Sequence, residues 1–106
     1  MKNSQEYEVL RLTKLRSHRK VLDEVKALIR RIDPESRIIF FGSVLKGNYK
    51  AWSDIDLIAI PSDFSLKDKI TVAVWQEIDA PIELHIISNA QFEDWYLRFI
   101  DSFEEI

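Results

Sequence analysis

Gly42 and Ser43 are followed, after ten intervening residues, by Asp54-Ile55-Asp56. In an extended chain residues i and i+2 project from one face, so the two aspartates stand side by side. Clustered carboxylates raise each other's pKa unless a cation offsets them. The pair is therefore a candidate site for a hard divalent cation such as magnesium, which takes one or two carboxylates and completes its shell with water and substrate phosphates. Gly42-Ser43 is the candidate for those phosphates. Glycine admits an anion close to the backbone, helix-initial N–H groups attract it, and the Ser43 hydroxyl can donate one more bond. Lys46, one helical turn on, adds a point charge. A Gly-Ser pair alone is also an ordinary turn, and two acids alone are also an N-cap beside an exposed strand acid. The combination at this spacing is what points to metal and phosphate.

A third acid completes the pattern. In the apolar run from Ile82 to Ile87, alternation puts Ile82, Leu84 and Ile86 on one face and Glu83, His85 and Ile87 on the other. An acid within such a run is costly unless it is paired or bound to a cation. If this run lies beside the one that starts at Asp54, Glu83 meets the aspartates across the ladder. His85 shares that face, either as a proton acceptor from an incoming hydroxyl or as a hydrogen-bonded strand histidine. Trp52 either stacks on a base at the mouth of the site or packs under the loop. Tyr49 and Lys50 leave the same two readings open.

The elements that position these residues follow from periodicity. Val21, Leu22, Val25, Leu28, Ile29 and Ile32 fall at the spacing of an amphipathic helix that ends near Asp33-Pro34. Val9, Leu10, Leu12 and Leu15 extend it upstream, with a break near Ser17-His18. Arg37 to Phe41 reads as a buried strand, Ser43 to Gly47 as a short helix or turn, and Asp54 to Ile60 as a second strand. Ile70, Val74, Trp75 and Ile78 mark a helix from Leu66 to Asp79, and Pro81 opens a third strand, since proline is tolerated at a strand's first residue. Ser88 or Asn89 caps a last helix bearing Phe92, Trp95, Tyr96, Phe99 and Phe103. Strands interleaved with helices predict an α/β or α+β layer with three strands or slightly more. Only about a dozen residues, Gly42 to Ser53, join the first two strands, close to the lower limit for a parallel crossover. The sheet is expected to be mixed, with an antiparallel first pair left open.

Composition sets the outer bounds. The chain has 106 residues, 46% apolar and 31% charged, as expected of one globular domain whose residues 1–20 form a helical extension. No apolar stretch approaches the ~20 residues needed to span a bilayer. The first residues lack the apolar core of a signal peptide, and cysteine is absent, which fits a cytoplasmic protein without disulfides or thiolate metal sites. The net charge of −3 and the lack of a base-reading motif argue against nucleic acid as the partner. Within it, Arg11, Lys14, Arg16, Arg19 and Lys20 form a basic run, read either as a steering patch for nucleotide or as a solvated helix face.

The segments Phe41-Gly42-Ser43-Val44-Leu45-Lys46-Gly47 and Ser53-Asp54-Ile55-Asp56-Leu57 resemble the signature of the minimal nucleotidyltransferases of the DNA polymerase β superfamily. Glu83 in Ile82-Glu83-Leu84 is similar to that family's third carboxylate. The resemblance implies a polymerase β palm-like fold. It implies that Asp54, Asp56 and Glu83 bind two magnesium ions and that Gly42, Ser43 and Lys46 hold the triphosphate of ATP. One departure is Val44, where family members often have a base after the serine. Small members of this type resemble the antitoxin half of two-gene systems, so the resemblance also implies transfer of AMP to a tyrosine of an all-helical HEPN ribonuclease toxin, in a stable hetero-oligomer. The alternative is a catalytically idle relative that neutralises its partner by contact alone. A homodimer also stays open. The basic N-terminal segment and the aromatic last helix are the surfaces expected to make the contact.

Overall fold

The computed structural model describes residues 2–94 and 96–106. Two helices lead, α1 (Ser4–Arg16) and α2 (His18–Ile32), parted at Ser17 as the sequence predicts. Then come β1 (Arg37–Phe41), α3 (Ser43–Lys46), β2 (Ile55–Ile60), a 3-10 turn (Phe64–Leu66), α4 (Lys67–Glu77) and β3 (Ile82–Ile86). The chain closes with α5 (Asn89–Asp94), a second 3-10 turn (Tyr96–Arg98) and β4 (Phe103–Glu105). The four strands form one mixed sheet in the order β3-β2-β1-β4. β1 pairs antiparallel with both β2 and β4, whereas β2 and β3 run parallel across the α4 crossover.

The sheet buries its two faces unequally. Ile38, Phe40, Ile55, Leu57, Ala59 and Ile86 turn toward α2 and α4, where Val21, Leu22, Val25, Leu28, Ile29, Ile70 and Val74 complete the main core. Burying a side chain of this size stabilises by roughly 1.5–3 kcal/mol each, so this face supplies most of the driving force. On the other face Ile39, Ile58, Ile60 and Ile87 gather around Phe92 of α5 in a smaller core. α1 adds little to either: Leu15 is its one buried residue, and Tyr7, Val9 and Leu10 are exposed. Trp75, assigned by periodicity to the apolar stripe of α4, is 82% exposed.

The expected last helix is a correction. It stops at Asp94, passes into the 3-10 turn, and Phe103 belongs to a strand. Trp95 lies outside the described residues. The helical spacing of Phe92, Tyr96 and Phe99 is real, but it arises where a short helix, a turn and a strand cover the second sheet face. Two forked ion pairs hold β4 in place. Arg19 of α2 donates to both carboxylate oxygens of Glu104 at 2.6 and 2.8 Å, and Arg37 of β1 to both of Glu105 at 3.0 and 2.8 Å. Arginine's planar fork suits such pairing.

Asp33 fastens the end of α2 to the end of β2. It is buried, and its carboxylate accepts from the Ser62 amide and hydroxyl, both at 2.7 Å. Asp33→Ala would leave both donors without this partner and should lower the unfolding free energy by about 2–3 kcal/mol. A urea midpoint equal to that of the parent chain would contradict this account.

Candidate functional site

The site lies on the sheet face that α5 covers, beyond the edge of the smaller core. Along β2 that face carries Ile58 and Ile60, both buried, and then Asp56, half-buried. The register sets Phe41, Asp56 and Glu83 on one rung across β1, β2 and β3. Because β2 and β3 are parallel neighbours, Glu83 stands beside Asp56, as the alternation in the third strand anticipates. Glu83 is itself exposed, with 54% of its side chain accessible.

Asp56 and Glu83 stand side by side on neighbouring strands, close enough for their carboxylates to interact. Partial burial pushes the Asp56 carboxyl up to about 6, helped by the adjoining Glu83 side chain and by the charges of Glu83 and Asp54. Three acids thus feel one another here, the electrostatic situation that a divalent cation relieves. The donor set is entirely carboxylate oxygen, the chemistry preferred by magnesium. Asp56 and Glu83 therefore fit such an ion as a pair. Asp54 sits one residue before β2 and is held elsewhere: Arg11 of α1 donates to its Oδ1 at 3.0 Å. Among the described residues no three His, Asp or Glu side chains already form a cluster able to hold a metal ion.

Gly42 is required by the same geometry. Its φ of +87° suits glycine, and a Cβ placed there would lie 2.1 Å from Asp56 Oδ2. The turn into α3 and the carboxylate of β2 are thus in direct steric contact. Ser43 opens α3, and the helix closes at Gly47, whose φ is +80°. Val44, where family members often carry a base, is buried in the main core, so its side chain points away from any anion at the turn. Lys46 is exposed and pairs with Asp101 at 2.8 Å. The structure thus joins Asp56 to Glu83 and Gly42, while Asp54 and Lys46 engage partners from opposite ends of the chain.

His85 neighbours Glu83, with 3.5 Å between Nε2 and Oε1, and lies between the rings of Phe41 and Tyr96 at 6.3 and 6.2 Å. Trp52 is 77% exposed and does not pack under the loop, whereas Tyr49 packs against the main core. Sequence reasoning missed the part played by Arg11. It lay within the basic run, but nothing local marks a partner 43 residues away. Arg19 is likewise engaged, by Glu104.

Comparison with known proteins shows the family of the chain and its fold. The family model for the nucleotidyltransferase domain matches residues 10–106. A Haemophilus influenzae protein named "Probable protein adenylyltransferase MntA" is 33% identical over 79 residues, covering 72% of this chain and 68% of its own. The chain belongs to the nucleotidyltransferase domain family. Its fold is also that of a crystallised protein assigned as a nucleotidyltransferase, with a TM-score of 0.64 at 23% identity over 80% of this chain and 96% of the other. A second, from Sulfolobus solfataricus, covers 99% of this chain and 86% of its own with a TM-score of 0.52 at 16% identity. Among the described residues no helix is long and apolar enough to cross a membrane.

Two outcomes test the site without any substrate. Gly42→Ala forces its Cβ onto Asp56 and strains the backbone, and should destabilise the chain by about 1–3 kcal/mol; unchanged melting would show that the turn and Asp56 are not in contact. Asp56 titrates near 6 when folded and near 3.8 when unfolded. Its raised pKa means that its contribution to stability is complete below the unfolded value and is lost as pH rises through 6. Asp56→Asn carries no charge to desolvate. In chelator at pH 7.5 it should melt higher than the parent, by roughly 1 kcal/mol after allowance for solvent screening, and the gain should disappear near pH 4. A gain that persists at pH 4 would refute the assignment.

Proposed function

We propose that this chain is a metal-dependent nucleotidyltransferase that transfers AMP from ATP to a hydroxyl on a protein partner. The observation that carries the reading is the Asp56–Glu83 pair on adjacent parallel strands, in contact with the Gly42 turn. The relative named as a protein adenylyltransferase supports AMP as the group moved and protein as the acceptor. Through the resemblance to minimal nucleotidyltransferases, the partner is an HEPN-type helical ribonuclease and the acceptor one of its tyrosines, with the two proteins forming a toxin–antitoxin complex.

In this reading Asp56 and Glu83, joined by Asp54, would hold two magnesium ions. When bound, these ions would lower the pKa of the attacking hydroxyl and neutralise charge on the triphosphate and the departing pyrophosphate. The protein's own task is to position. Asp56 and Glu83 would present to the metal two carboxylates that the β2–β3 register sets side by side. Ser43 donates its hydroxyl to a phosphate oxygen at the turn, and Lys46 exchanges Asp101 for phosphate. That exchange costs little, because an ion pair with so exposed a partner as Asp101 is screened by solvent. Such alignment is the larger part of catalysis in phosphoryl transfer generally.

A second reading, neutralisation by contact alone, is favoured by one feature: Asp54 and Lys46 are both satisfied internally, and Val44 is buried. One experiment separates them. Incubated with ATP, magnesium and its HEPN partner, the chain should add AMP to the partner, read as a mass increase. Asp56→Asn should reduce the rate at least 100-fold and abolish protection of RNA from the toxin. If the variant still protects fully and no AMP is added by the parent chain, contact alone is the function.

A further inference from the structure

α1 reaches the site through Arg11. From the middle of that helix, Arg11 donates through Nε to the Ala51 carbonyl at 2.9 Å and through Nη2 to the Ser53 carbonyl at 2.8 Å and Asp54 Oδ1 at 3.0 Å. The acceptors, on Ala51, Ser53 and Asp54, all lie along the loop that delivers Asp54 to β2. That loop is already pinched into a turn, since Lys50 N donates to Ser53 Oγ at 2.9 Å and Ser53 N to Lys50 O at 3.0 Å. Arg11 grips the far side of this turn. It therefore fixes both the backbone before Asp54 and the carboxylate itself.

Magnitudes decide what this grip does. The Arg11 and Asp54 side chains are 37% and 42% exposed, and an ion pair so accessible contributes at most about 1 kcal/mol to folding. α1 has one buried residue, so tying it down adds little to the core. The arrangement does constrain orientation. Asp54 lies outside the β2 ladder, so strand pairing does not set its side chain, whereas a planar guanidinium anchored on two carbonyls does. The two carbonyl bonds do not involve Asp54, so Arg11 stays in place when Asp54 takes another partner. Because Arg11 engages only Oδ1, the other carboxylate oxygen of Asp54 would remain available to a cation.

We propose that Arg11 is a positioning residue that orients Asp54 for metal from outside the ligand shell, making the N-terminal helix part of the active site. This rests on the reading of Asp54 as a ligand. Residues that hold a metal ligand in place typically change affinity 10- to 100-fold when removed. Lysine keeps the charge but lacks the fork, and glutamine lacks both charge and fork.

The test is Mn2+ binding to the nucleotide-free chain, followed by electron paramagnetic resonance, with thermal melting measured in chelator. Arg11→Gln should bind Mn2+ about 10-fold more weakly than the parent and Arg11→Lys by an intermediate factor, while both melt within a few degrees of it. Equal Mn2+ affinity with a lower melting temperature would reduce Arg11 to a strap for α1 and overturn the proposal. Tighter binding by Arg11→Gln would overturn it in the other direction, making Arg11 a competitor for the carboxylate. If the parent chain itself binds no Mn2+, the metal site fails and this inference with it; if the parent binds and the variants match it, only the inference fails.

Discussion

Two carboxylates set side by side on adjacent parallel strands are the constraint around which this structure is arranged. Asp56 and Glu83 meet because β2 and β3 are neighbours in register, and that adjacency is produced by the α4 crossover. Partial burial raises the cost of the second charge, which makes the pair receptive to a cation. The opposing requirement is steric. Asp56 reaches its place only because Gly42 has no side chain, so a turn between β1 and α3 and a carboxylate on β2 depend on each other. Antiparallel pairing of β1 and β2 brings the two together, with Phe41 directly opposite Asp56.

The charges around this centre come from distant parts of the chain. α1 supplies Arg11 to Asp54, and the turn before β4 supplies Asp101 to Lys46. Each pair is accessible to solvent, so neither holds the fold together to any large degree. Both are instead at the positions where a ligand's opposite charge is expected. Asp54 has a cation beside it and Lys46 an anion, so the ligand-free chain balances its site internally. In the proposed reading Lys46 would exchange Asp101 for a ligand phosphate while Arg11 keeps its hold on Asp54, so loading would not bury bare charges.

The sequence made some of this plain and concealed the rest, for identifiable reasons. β1, β2 and β3 were legible because their alternation or apolar runs are local, and the dozen residues between β1 and β2 already restricted that pairing. The expectation for Glu83 came from the same period-two logic. The C-terminal segment was misread because Phe92, Tyr96 and Phe99 recur near the helical period while serving a sheet face. Nothing local identifies Phe103-Glu104-Glu105 as a strand, since acids are poor strand formers; Arg19 and Arg37 make it one from 85 and 68 residues away. Arg11 was hidden by the same kind of separation. Periodicity reports which face a residue occupies, and an ion pair across 43 residues leaves no trace in it.

The unequal cover of the two sheet faces explains why the site is where it is. α2 and α4 seal the first face along its length, leaving no room there for a charged group. On the second face α5 and the turn after it cover Ile39, Ile58, Ile60 and Ile87, with Phe41 packed at the margin and Asp56 beside it half-buried. Two residues along one strand therefore separate a dry core from an open acid cluster. The apolar cap sits close enough to lower the local dielectric at Asp56 and far enough away to leave it accessible. A longer terminal helix of the kind the aromatic spacing suggests would have run on past this boundary. By returning as β4, the chain closes the sheet on its β1 side, and on the acid rung Asp56 stays half-buried and Glu83 exposed.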